Sequence, residues 1–267
     1  MNKELYIYKS LGNSLPNIPS VTGIVNRGFK KMYFRTSRRK KEKYLQKVNG
    51  FKMLLEPYEN VDGALFFYPQ LYERKEFNFL KEILQNGDCF IDIGANIGAY
   101  SLIASNLIGD EGKVVAIEAE PYNFKKLKKN ISLNEINNID AINLGVSDKS
   151  ETLSLSINTT GNRSGCSFAY EGENTVKIKC KSLIDILDQS KITKISCMKI
   201  DIEGFEYKVI KHFYDSADRN LFPKYVIMEH LHSSDNLSPI ELLLKNDYEI
   251  IDKNYYNLFL RLKQNKN

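Results

Sequence analysis

The sequence contains no apolar run near the roughly eighteen residues that a membrane helix needs. Its first residues, MNKELYIYKSLGNS, lack the apolar stretch of a signal peptide. Its four cysteines, Cys89, Cys166, Cys180 and Cys197, include no CxxC pair, which excludes a zinc knuckle and a disulfide framework. Reduced thiols in a cytoplasmic protein are the plain reading. None of the seven prolines are adjacent, so there is no Asn-Pro-Pro-Tyr-like run of the kind that holds an extruded base. No internal repeat or low-complexity segment stands out beyond one basic run. That run, Arg27 to Lys47, holds ten basic residues and one acid, Glu42, interleaved with Phe29, Met32, Tyr33, Phe34, Tyr44 and Leu45. It reads as helical: a solvated helix face, or a surface for an anionic membrane or a partner. Basic charge does not continue over the remainder of the chain, so no nucleic-acid partner is expected.

The chain is organised around Asp88 to Ser101, DCFIDIGANIGAYS. An alternating apolar and acidic run ends a buried strand, a turn with Gly94 and Gly98 follows, and Ala99 to Ile108 reads as a helix. Glycine there permits a tight strand-to-helix turn and close approach of backbone to a ligand. A dinucleotide fingerprint carries three glycines, GxGxxG, and this turn has two. Asp92 stands at the strand's carboxyl end, where a carboxylate can face a cationic ligand group. Glu118 ends the next apolar run about twenty residues beyond Gly98, the spacing of an acid that accepts ribose hydroxyls.

The 267 residues suffice for one α/β domain and a smaller appendage. Residues 1–49 read as a basic amino-terminal extension and residues 50–267 as the main domain. Two short strands, FKMLLE and ALFFY, are expected on either side of Pro57 and an Asp62-Gly63 turn, followed by a helix over Glu73 to Leu84. Strands at 89–93, 113–118 and 140–144 alternate with helices near 97–107 and 121–134, and Gly145 to Asp148 reads as a turn. This alternation predicts a mostly parallel sheet covered on both faces, with ligands beyond the strands' carboxyl ends. An insertion at about 151–180 breaks the pattern: two strands flank a polar loop, Asn158 to Gly172, expected to act as a substrate-side lid. The pattern resumes with a helix at 182–189, the strand SCMKID, a helix opening at Glu203 and a strand at Tyr225 to Met228. A helix at 239–244 and an antiparallel edge pair, 248–251 with 255–262, close the chain.

Taken in order, Tyr72-Glu73, DIGANIG at 92–98, AIEAEP at 116–121, GVSD at 145–148, KSLIDIL at 181–187 and KIDIEGFE at 199–206 resemble the FkbM family of S-adenosylmethionine-dependent methyltransferases. The resemblance runs from about residue 50 to the end. It implies a class I methyltransferase fold, a Rossmann-like doubly wound sheet with an antiparallel carboxyl-terminal edge. It also implies bound S-adenosylmethionine: Asp92, Gly94, Ala95, Asn96 and Gly98 at the methionine end with Tyr72 and Glu73, Glu118 and Ala119 at the ribose, Ser147 and Asp148 at the adenine, and Asp201 at the donor site. Family members more often place proline directly after the first acid of AIEAEP, so Glu120 is the alternative ribose ligand to Glu118.

Methyl transfer from a sulfonium requires an acceptor held in line with the methyl carbon, and a hydroxyl acceptor must also lose its proton. Asp201, Glu203, Glu229, His230 and His232 cap the late strands and are the candidate bases, with Asp201, Glu229 and His230 foremost. Asp201 and Glu229 also form an acidic pair able to hold a divalent metal through oxygen. The competing reading is that Asp201 and Glu206 only hydrogen-bond their loop. The activity the resemblance implies is O-methylation of a sugar, glycan precursor or secondary metabolite; a cytoplasmic enzyme is expected, with peripheral membrane contact through residues 27–47 as an addition. The alternatives are a nucleic-acid base methyltransferase, an NAD-linked reductase and a non-catalytic docking module.

Overall fold

The computed structural model describes residues 9–12, 42–158, 163–168, 174–230 and 238–264. Strands β1 (Tyr44–Val48) and β2 (Phe51–Leu55) form an antiparallel hairpin with Tyr44 opposite Leu55. Asn49 and Gly50 make its two-residue turn, both at positive φ, the backbone that an Asn-Gly pair adopts most readily. The expected domain boundary thus falls in a hairpin turn. Most of the basic segment lies outside the described residues; its end, Tyr44 to Lys47, is strand where a helix was expected.

ALFFY is also not a strand. It belongs to helix α1 (Asn60–Phe67), with Asp62 and Gly63 in its first turn. Ala64, Leu65, Phe66 and Phe67 are all buried, so the helix is apolar on every side. A short run of that kind has no period that separates strand from helix. The following elements are α2 (Arg74–Ile83), β3 (Cys89–Ile93), α3 (Ala99–Ile108), β4 (Lys113–Ile117), α4 (Pro121–Ser132) and β5 (Ile139–Ile142). Next come β6 (Gly145–Ser147), β7 (Glu151–Ser156), β8 (Thr175–Ser182), α5 (Leu183–Gln189), β9 (Cys197–Ile200) and α6 (Glu206–Ser216). The chain closes with β10 (Tyr225–Glu229), α7 (Pro239–Lys245), β11 (Tyr248–Lys253) and β12 (Asn257–Leu262).

The main sheet has seven strands in the order β11-β12-β10-β9-β3-β4-β5. Strands β5, β4, β3, β9 and β10 are parallel, and β12 runs antiparallel to both its neighbours. This is the class I methyltransferase arrangement. Alternate residues of one strand enter different cores: Phe90 packs with Leu80, Leu102 and Leu127 on one face, whereas Ile91 and Ile93 pack with Leu187, Ile210 and Phe213 on the other. From β3 the chain proceeds to β4 and β5 on one side, and β9 and β10 lie on the other. The order therefore reverses between β3 and β9, where the departing loops leave a crevice. Gly145 to Ser147, expected as a turn, is strand β6 of a separate three-stranded sheet, β6-β8-β7.

A buried ion cluster ties the amino-terminal hairpin and α1 to α4. Lys126, 5% exposed, contacts Glu56 at 3.2 Å and also Asp62. Tyr122 donates to Glu56 at 2.5 Å and Lys43 approaches it at 2.9 Å. Burial opposes ionisation of Glu56, but Tyr122, Lys43 and Lys126 together hold its carboxyl down to about 2. Lys126→Met strands two buried carboxylates and is expected to cost about 3–5 kcal/mol in urea unfolding; a loss below about 1 kcal/mol would show that the cluster contributes little net stability.

Candidate active site

Three residues of the turn after β3 occupy the left-handed region: Gly94 at φ 79°, Asn96 at 51° and Gly98 at 92°. The N–H groups of Gly94 and Ala95 both donate to the Ile117 carbonyl at 3.0 Å, which fixes the turn to the end of β4. A Cβ at Gly94 would lie 1.9 Å from the carbonyl oxygen of Asp201, so the turns after β3 and β9 touch only because residue 94 has no side chain.

Lys199, in β9, faces this junction and is 5% exposed. Its Nζ lies 3.2 Å from Asp201, 3.3 Å from the Gly94 carbonyl oxygen and 4.0 Å from Asp92. It also sits 4.9 Å from the centroid of the Tyr100 ring. Burial favours the neutral amine, but Asp201 and Asp92 outweigh it and raise the lysine pKa. Asp92 is fully buried and accepts from Ser101 at 2.6 Å; its pKa is raised by burial, which Lys199 opposes. It pairs with Lys199 beneath the cavity floor and does not line the cavity.

The cavity itself measures about 760 Å³ and opens at the carboxyl ends of β3, β4, β9 and β10. Among the expected residues, Tyr72, Glu73, Gly94, Ala95 and Asn96 line one part of it. Glu118, Ala119, Asp201 and Glu229 line the remainder. Gly98, Ser147, Asp148 and His230 do not. Gly98 instead caps α3 and packs against Leu127. Ser147 is buried and donates to Glu151 at 2.6 Å, and Asp148 pairs with Lys208 at 3.0 Å. The positions beside β6 that do face the cavity are Leu144 and Val146. His230 places Nε2 at 3.3 Å from the Asn254 carbonyl oxygen and does not itself line the cavity, so its side chain is not positioned as the expected base. His232 lies outside the described residues.

Glu118 accepts the N–H of Asn96 at 2.7 Å and that of Glu120 at 2.8 Å. A carboxylate offers about four acceptor positions, so roughly two remain for ligand hydroxyls. Glu120 is engaged elsewhere: it caps α4 through the Asn123 N–H at 2.7 Å and approaches Arg163 at 3.4 Å. Of the two acids, only Glu118 faces the cavity.

At the other end, the carboxyl groups of Asp201, Glu203 and Glu229 have oxygens within 4.8 Å of one another. Burial first and repulsion from Asp201 second push Glu203 up to about 7 and Glu229, which also shares a hydrogen bond with Asp201, up to about 8. Burial likewise raises Glu118 to about 7, and burial with repulsion from Glu76 raises Glu73 to about 7. Glu206 accepts the N–H groups of Ile202 at 2.9 Å and Gly204 at 3.0 Å, the loop-holding role weighed for it. Of the expected lid, residues 158 and 163–168 are described, and these reach both ends of the cavity. The Arg163 N–H donates to Glu59 at 3.0 Å and its guanidinium lies 4.6 Å from the Tyr122 ring centroid. Ser167 donates to the Glu203 carbonyl at 2.6 Å.

Sequence reasoning missed Lys199 and Arg163. Lys199 carried a signal, a lone cation in an otherwise apolar strand two residues before Asp201, hence on the same face. Arg163 carried none, since its partners Glu59 and Glu120 are distant in sequence.

Residues 92–250 match the family described as the methyltransferase FkbM domain. Over 139 residues the chain is 27% identical to the hexuronic acid methyltransferase AglP of Haloferax volcanii, covering 52% of this chain and 55% of that protein. It therefore spans about half the length of that curated relative. Among solved structures it is similar to a methyltransferase FkbM from Methylobacillus flagellatus, with TM-score 0.44 and 16% identity over 75% of this chain and 54% of that one. It is also similar to Methanocaldococcus jannaschii Trm5 in complex with adenosine, with TM-score 0.46 and 20% identity over 86% and 57% of the respective chains.

The raised carboxyl pKa values fix a pH dependence. Unfolded, these glutamates ionise near 4.5; folded, Glu73, Glu118 and Glu203 ionise near 7 and Glu229 near 8. Between those values the folded chain binds more protons than the unfolded one, so rising pH destabilises it. The ligand-free protein is expected to show a Tm that falls from pH 5 to pH 8.5, with a smaller fall in Glu229→Gln. A Tm that rises over that range would show that these groups ionise normally.

Proposed function

We propose that this chain, which belongs to the FkbM family of S-adenosylmethionine-dependent methyltransferases, methylates a hydroxyl of a sugar or glycan precursor. The observation that carries this reading is a single cavity with unlike ends. Glu118 offers hydroxyl-accepting positions at the β4 end, and three crowded carboxylates stand at the β9–β10 end.

The residues present fit the cofactor. S-adenosylmethionine has no pyrophosphate, and a two-glycine turn suffices for it. Glu118 would accept the ribose hydroxyls, and the side chains of Ala119, Leu144 and Val146, which line the cavity, would wall the adenine. Tyr72, Glu73, the 94–96 turn and Asp201 surround the methionine end. A sulfonium held there would favour ionisation of those carboxylates. When bound, the cofactor would supply an electrophilic methyl group for the acceptor oxygen. The acceptor's hydroxyl proton passes to Glu229, whose pKa near 8 suits a base working close to neutrality. Asp201, hydrogen-bonded to both Lys199 and Glu229, positions that carboxyl.

A sugar is favoured over a nucleic acid because the acidic acceptor end would repel a polymer with a negative charge about every 1.7 Å of its axis far more than a sugar ring carrying at most one carboxylate. The name of the Haloferax relative, a hexuronic acid methyltransferase, points to the same substrate class. A divalent cation, if required, would be held by Asp201, Glu203 and Glu229, and would lower the pKa of the acceptor hydroxyl.

Calorimetry is expected to show S-adenosylmethionine binding, and the labelled cofactor should transfer its methyl group to a glycan oxygen. Absence of cofactor binding would overturn the proposal. Glu229→Gln should leave cofactor affinity within about twofold and lower kcat by about 10²–10⁴; an unchanged kcat removes the base role. Activity lost in a chelator and restored by magnesium would support the metal, and activity indifferent to the chelator would reject it.

A further inference from the structure

Tyr255 and Tyr256 stand on the turn between β11 and β12, 74% and 54% exposed. Tyr255 is the most exposed large hydrophobic side chain among the described residues. A hairpin turn has no need of two aromatic residues, since Gly, Asn, Asp and Ser supply its geometry. Both tyrosines border the same cavity as Glu229 and Glu203. Their rings meet edge to face, with centroids 4.9 Å apart and planes at 81°, forming a right-angled corner at the cavity mouth.

The turn beneath them is anchored far more firmly than a solvent-facing loop requires. The Asn254 carboxamide oxygen accepts the N–H groups of Tyr256 at 2.9 Å and Asn257 at 2.7 Å. The side-chain amides of Asn254 and Asn257 both donate to Glu76, at 2.5 and 2.8 Å, and Glu76 is 2% exposed. Lys75 adds bonds to Asp252 at 2.6 Å and to the Lys253 carbonyl oxygen at 2.7 Å. The ring corner is thus held to α2 independently of any ligand, the pre-organisation that reduces the entropic cost of binding.

Strand register places this corner next to the reacting end. Asn257 is the cross-strand partner of Glu229. Tyr256 and Tyr255 follow at one and two residues, at most about 3.3 Å of chain each, a separation one sugar ring can span.

We infer that Tyr255 and Tyr256 form the platform on which the acceptor sugar stacks. The inference rests on the sugar-methylation reading and names the surface that would receive that substrate. The electron-rich face of a tyrosine ring attracts the polarised C–H groups on the apolar face of a pyranose. The hydroxyls at that pyranose's edge then reach the carboxylates of Glu229 and Glu203. A nucleobase stacks on aromatic rings as well, but its phosphates would be brought against the same carboxylates.

The chain contains no tryptophan, so Tyr255→Trp introduces a single indole that retains a stacking face and reports on it. With S-adenosylhomocysteine saturating the cofactor end, this variant is titrated with a glucuronic-acid disaccharide, maltose and uridine monophosphate while its emission is followed. The inference expects a saturable emission change with at least one sugar and none with the nucleotide. Silence towards both sugars, or a response to the nucleotide alone, overturns it. In the Tyr255→Ala/Tyr256→Ala double variant, the KM for a methylated sugar should rise at least tenfold, with kcat and cofactor affinity within about twofold of wild type. An unchanged KM with intact cofactor binding discards the platform and leaves the methyltransferase reading standing. Loss of cofactor binding in the wild-type protein is the separate result that defeats that reading.

Discussion

The ammonium of Lys199 is the contact on which the site depends. It sits where the sheet's order reverses, directly across from Asp92 in the β3–β9 register, and reaches Asp201 and the Gly94 carbonyl at the same time. Two turns that must leave the sheet in opposite directions are thereby fastened at one point. The Asp201 N–H donates to the Ile93 carbonyl at 3.1 Å and adds a second fastening. Without a cation there, Asp92 and Asp201 would stand uncompensated beneath and beside the cavity floor. With it they become a fixed base for the cavity floor. This explains why Asp92, the most suggestive acid in the sequence, is not on the cavity wall: its charge is used to hold the lysine.

The cavity concentrates acids that resist ionisation. Glu73, Glu118, Glu203 and Glu229 each face burial before any other influence, and Lys199 is the buried cation among them. A pocket in this condition favours ligands that bring positive charge or donate hydrogen bonds. A sulfonium does the first and a sugar's hydroxyls do the second. The same groups that are expected to destabilise the ligand-free protein at high pH would thus favour such ligands, the trade-off between stability and function expected of a site.

The central fold was readable because the strand–helix alternation from Cys89 to Ile142 is regular and its glycines fall where backbone must turn. The antiparallel pair at the carboxyl end was also expected, although Tyr255 and Tyr256, assigned to its second strand, fall in the turn before β12. What failed were short segments whose state is settled by distant partners. ALFFY is a helix because all of its faces find apolar neighbours. Gly145 to Ser147 is a strand because β8, some thirty residues later in sequence, supplies its partner. The Asn49-Gly50 pair was a legible hairpin signal, overshadowed by the charge run before it. At the site, Glu118 was identifiable by spacing, whereas the diversion of Ser147 and Asp148 to Glu151 and Lys208 depends on a tertiary contact that no local pattern encodes.

The segment before residue 92, outside the matched range of 92–250, has a part in closing the pocket. Asn60, Val61, Ala64 and Tyr68 of this segment line the cavity, and Glu59 receives the Arg163 N–H from the polar insertion. Lys126 then fastens the same segment to α4 through Glu56 and Asp62. The sheet with its two turns supplies the floor, while one wall is formed by α1 and by the described residues 163–168 of the insertion. These two pieces meet through Arg163 and Glu59, and Arg163 also reaches Glu120 and the Tyr122 ring at the start of α4. A change in either piece can therefore alter the shape of the enclosure without disturbing the Lys199 junction. In such a construction, acceptor choice can change while the chemistry at the strand ends stays fixed.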